Sequence, residues 1–128
     1  MTLEEAIALV LREGFAGEDT PDDAAFILLH SGDEVNPERM SDLLRALRLL
    51  CGGLQGQSGF DRSLAAALWT LGNSANECLA AHEQYKRPWR DGEQDDVLEL
   101  ILTIEGVFYG IQFEGLREQQ RGNQWRLH

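Results

Sequence analysis

Apolar positions recur at helical spacing along almost the whole chain. Leu3, Ile7, Val10 and Leu11 share one face of a first segment that Gly14 closes. Thr2 and Glu5 ahead of it make the residue pair of a capping box. A second start reads Thr20-Pro21-Asp22-Asp23: a cap, a proline whose missing N–H costs nothing there, and two acids facing the positive helix end. Its short body, Ala24 to His30, is apolar nearly all round and therefore expected to be buried, and Ser31-Gly32 stops it. Asn36-Pro37-Glu38 repeats the device before Met40, Leu43, Leu44, Leu47 and Cys51, which Gly52-Gly53 terminates. A fourth helix is predicted from about Asp61 to Lys86, with Leu64, Leu68, Leu71, Ala75, Cys78, Leu79 and His82 on one side and Pro88 beyond its end.

The last segment has two readings. Eleven of the seventeen residues from Val97 to Phe113 are apolar. Wound at 100° per residue, Val97, Leu100, Ile101, Ile104, Val107, Phe108 and Ile111 gather on one side, with Glu99, Thr103, Gly106 and Gly110 on a narrow opposite stripe. Acids before the segment and arginines after it suit a helix dipole. The alternative is a β-hairpin over 98–113 turning at Glu105-Gly106, which the β-branched and aromatic residues favour. The helix is preferred, because an isolated hairpin in a helical chain would need further strands. The expected fold is an all-α, five-helix bundle in one domain over 1–128. At its centre stands an antiparallel hairpin of two long helices, 61–86 and 94–121. Gly106 and Gly110, four apart, would let a neighbouring backbone approach, with Gly72, Ser74 or Ala75 as small partners. Residues 52–59, with four glycines, read as a flexible connection.

The net charge is −11, unevenly placed: −8 over residues 1–40, +2 over 41–90 and −5 over 91–128. Such a chain is repelled by phosphate backbones, so nucleic acid is not an expected partner and a basic protein is. The acidic turns supply the candidate partner residues Glu18, Asp19, Asp22, Asp23, Asp33 and Glu34. Trp89, set among Arg87, Pro88 and Arg90, is an aromatic partner-binding candidate, and Gly106 and Gly110 on the apolar segment are apolar ones. The Val97–Phe113 run carries Glu99, Thr103, Glu105 and Gln112, too polar for a membrane span. An acidic first helix in place of a basic leader, with only two cysteines, points to the cytoplasm and to reduced thiols.

No motif carries catalytic chemistry. Cys78 and His82 stand one helical turn apart, the spacing of half a zinc site, but no Cys-x-x-Cys or further ligand pair accompanies them. Glu-x-x-His pairs for a di-iron bundle are absent, and the glycine-rich 52–59 lacks the Gly-Lys-Ser/Thr ending of a phosphate loop. No cofactor is expected. The function read from the sequence is non-enzymatic protein–protein interaction, with homodimerisation through the apolar segment as one form. The alternatives are an inhibitor or immunity-type protein that neutralises a basic enzyme such as a nuclease, and a metal or thiol site at Cys78 and His82.

Overall fold

The computed structural model describes residues 1–15, 17, 20–55 and 61–123, with the helix but not the side chains described for 111–123. Five helices make up the fold: α1 (Leu3–Gly14), α2 (Ala25–His30), α3 (Pro37–Gly53), α4 (Arg62–Tyr85) and α5 (Glu93–Asn123). No strand occurs among the described residues, and the chain is all-α. The hairpin alternative for 98–113 is thereby corrected: the backbone continues as helix through Glu105-Gly106.

Three helix starts follow the capping grammar. Thr2 and Glu5 exchange the reciprocal bonds of a capping box, both 3.1 Å. Asn36 accepts from Glu38 N–H at 2.8 Å with Pro37 behind it, and Asp61 accepts from Ser63 N–H and Leu64 N–H. The second start departs from expectation. Thr20 does not cap α2; its hydroxyl turns back to Phe15 O and Gly17 N–H, and residues 21–24 form a turn before the helix opens at Ala25. The cap comes from another helix, because Ala25 N–H donates to Glu13 Oε1 on α1. Gly52 and Gly53, read from sequence as part of a flexible connection, complete α3; residues 56–59 of that connection lie outside the described residues.

The four longer helices neighbour one another in a closed order: α1 on α3, α3 on α5, α5 on α4, and α4 back on α1. The short α2 lies mainly against α4. Leu43, Leu47, Leu50, Leu64, Leu68, Leu71 and Leu100 are fully buried between them, each worth about 1.5–3 kcal/mol relative to an exposed position. α1 approaches α4 so closely that a Cβ on Gly14 would stand 2.6 Å from Ala67 O and 2.8 Å from Leu71 Cδ1.

The orientation of α5 differs from the expected one. Val97, Leu100, Ile104 and Val107 are buried, but the small and polar stripe also turns inward, towards α3. Cys51 Sγ donates to Thr103 O at 3.5 Å, Arg48 pairs with Glu99, and Gly106 faces Cys51 Sγ. Gly106 and Gly110 therefore lie beside α3. Neither is a close backbone approach, since an added Cβ would find Cys51 atoms at 3.5 and 3.9 Å. The proposed small partner Gly72 instead faces Ile104.

Candidate functional site

The outward side of α5 is set by that rotation. With Gly106, Thr103 and Glu99 against α3, and Ile104 and Phe108 towards α4, the side left open carries Leu98, Leu102, Glu105 and Tyr109. Leu102 is 65% exposed, Tyr109 59% and Leu98 41%, whereas Gly106 and Gly110 of the same helix are half-buried. Beside this stripe runs a groove lined by Leu68, Trp69, Gly72 and Asn76 of α4 and by Ile104 and Glu105 of α5. Gly72 and Ile104 form the low part, and Trp69, 65% exposed, stands at the α4 edge. A tryptophan, two leucines and a tyrosine are left in water on these two adjoining helices. The sequence reading did not single out Leu98, Leu102 or Tyr109 as an open row. The signal was present as a 98–102–105–109 spacing, but the fuller apolar face at 97, 100, 104 and 107 competes with it.

The acidic candidates are dispersed. Asp23 accepts from Arg39 Nη1 at 3.0 Å, and its carbonyl accepts from Arg39 Nη2 at 2.8 Å. Glu34 Oε1 lies 2.9 Å from Arg90 Nε, an ion pair without hydrogen-bond alignment. Asp22 and Asp33 are exposed, and Glu18 and Asp19 lie outside the described residues. Arg39 also holds the buried Glu13, at 2.7 Å from Nη2 and 3.3 Å from Nε. These carboxylates tie α1, α2 and α3 together, which raises the pKa of the Arg39 guanidinium, chiefly through its bond to Glu13.

Cys78, His82 and Trp89 meet where α4 turns into α5. Trp89 is half-buried and stacks on the His82 ring, centroids 3.5 Å apart and planes 9° from parallel. His82 Nδ1–H donates to Arg87 O at 3.1 Å, and Nε2 is buried without a hydrogen-bond partner among the described residues. The Cys78 thiol is pushed up to about 11, first by burial and then by Glu93, with Arg87 opposing. At neutral pH it stays protonated, the wrong form for a nucleophile or a metal ligand. Among the described residues no three His, Cys, Asp or Glu side chains are grouped to hold a metal ion.

A second recess, about 40 Å³, lies among Leu29, Val35, Met40 and Val97, with Asp33, Arg90 and Asp96 at its rim. It has room for about one or two waters and no metabolite. Asp96 titrates above the usual carboxylate range because burial and the neighbouring Glu99 and Asp95 outweigh Arg90.

The chain matches no known family model, no curated protein and no solved structure. Among the described residues no helix is long and apolar enough to cross a membrane.

Proposed function

We propose that this protein is a non-enzymatic protein–protein interaction module that docks partners on the open α4–α5 face. The observation carrying this reading is the inward turn of the α5 glycines while Leu98, Leu102 and Tyr109 stand in water beside Trp69. Leaving those side chains exposed forgoes burial worth about 25 cal/mol per Å², and large aromatic anchors dominate protein contacts. A protonated, buried Cys78 and a His82 held by stacking and a backbone bond favour a structural role for that pair over thiol or metal chemistry. The net charge of −11 speaks against nucleic acid as partner, and two unpaired cysteines suit a reducing cytoplasm.

A photo-crosslinking side chain at position 102, installed in the organism that encodes the protein, tests the proposal. Protein adducts at 102 are expected, absent from the same probe at exposed Asp42 on α3 and lost with Trp69→Ala. Equal labelling at both positions, or none at 102, overturns the docking assignment. Homodimerisation through α5 remains a form of this reading and would appear as adducts of twice the chain mass.

A further inference from the structure

We infer that the occupant of the α4–α5 face is a basic amphipathic helix of another protein. The inference rests on the docking role proposed above and adds the chemistry of what docks.

Shape comes first. Leu98, Leu102, Glu105 and Tyr109 are spaced four, three and four residues apart, the alternation that lines the seam between two paired helices. All four are exposed, so the stripe runs straight along the open side of α5. The groove between Trp69 and Glu105 lies alongside it. A helix laid on this surface meets a row of apolar side chains and a flanking tryptophan, as in helix-in-groove recognition.

Charge then selects the occupant. Residues 63–85 and 91–116, the sequence of α4 after its first residue and of most of α5, contain nine Asp or Glu and no Lys or Arg. Three of those acids are already engaged, Glu77 with His30, Glu99 with Arg48 and Glu93 with Arg90. Glu105 is exposed and sits within the apolar row itself, and Glu83 and Asp95 are exposed elsewhere on the same two helices. A carboxylate in a seam that must lose water on docking needs a cation opposite. Lysine or arginine meets that need twice, its stem lying on Trp69 or Leu102 while its head reaches Glu105. A second copy of this chain does not. In parallel register it sets Glu105 against Glu105. In antiparallel register it offers no cation from residues 91–116, and it brings its own −11 charge.

The test uses three synthetic helical peptides of about three heptads, with an identical leucine seam and with lysine, glutamine or glutamate at all flanking positions. Binding to the full chain is measured by titration calorimetry near 0.15 M salt. The lysine peptide is expected to bind at least about tenfold tighter than the glutamate peptide, with glutamine between. Glu105→Lys should invert that order. Trp69→Ala combined with Leu102→Ser should abolish binding, and Asp22→Asn, an acid of the α1–α2 connection, should leave it unchanged. Each altered residue is solvent-exposed, and circular dichroism checks that the helices persist. Equal affinity for all three peptides, no binding of the lysine peptide, or as large a loss from Asp22→Asn as from Glu105→Gln overturns the inference. So does a dimer in sedimentation that the lysine peptide fails to dissociate. Crosslinks at position 102 to a second copy, or to an acidic partner, would sink the basic helix and leave the docking role standing.

Discussion

Gly14 and Gly106 occupy the same kind of position, a helical glycine beside another helix, with opposite consequences. A Cβ at Gly14 would press into the Ala67 carbonyl at 2.6 Å, backbone that cannot step aside. One at Gly106 would touch Cys51 Sγ at 3.5 Å, an ordinary contact. Gly14→Ala is therefore expected to cost about 1–3 kcal/mol through overpacking. Gly106→Ala should gain up to about 1 kcal/mol from helix propensity. Urea unfolding of the two variants reads the difference directly, and equal midpoints would contradict the packing described for α1. Sequence spacing favoured the wrong pair: Gly106 and Gly110 carry the familiar four-residue interval, whereas Gly14 looked like a simple helix stop. An interval along one helix does not reveal what the neighbouring helix places opposite.

At the level of elements, the starts of α1, α3 and α4 were legible because each cap lies within three residues of the amide it serves. The start of α2 was not, because its cap arrives from Glu13, twelve residues upstream. The rotation of α5 was hidden for a related reason. Its sequence offers two apolar stripes, and the contacts made by Cys51 and Arg48 on α3 decide which one stays open. The Arg39–Glu13 pair, which α2 depends on, yields a test. Arg39→Ala leaves a buried carboxylate without its counter-charge and should cost about 3–5 kcal/mol. Adding Glu13→Leu to Arg39→Met removes both charges together and should recover most of that. A residual deficit of about 1 kcal/mol would remain for the lost cap of α2. Thermal unfolding of the single and double variants separates these contributions, and a double variant no better than Arg39→Ala would refute the assignment.

Across the whole molecule the dominant quantity is the −11 charge, carried mostly by residues 1–40 and 91–128. At the head of α5 burial, and then the adjacent Glu99 and Asp95, raise the pKa of Asp96. A carboxyl raised in the folded state binds its proton more tightly there than when unfolded. Its ionisation therefore weakens the fold as pH climbs through the carboxylate range, and protonation relieves the strain. Asp96→Asn should accordingly stabilise the protein at pH 7 by less than about 1 kcal/mol, since the site is partly solvated. The gain should vanish at about pH 3, where the native side chain is itself neutral. Added salt should give the wild type a smaller benefit at neutral pH, because it screens the repulsion from Glu99 and Asp95 but not the burial. Melting temperatures at two pH values and two salt concentrations check both statements; a gain that persists in acid would rule the charge argument out. The all-α class and the acidic character could be read from the chain. The open face could not, because it depends on how two helices turn about their own axes once packed.

Glu13 carries one more consequence. At six residues, α2 is too short to persist alone in water, and the acceptor for its leading amide belongs to α1. Its order is thus borrowed from the rest of the molecule. In hydrogen–deuterium exchange the 25–30 amides should open together with the α1–α3 junction instead of fraying independently, and on refolding they should gain protection only after α1 has docked.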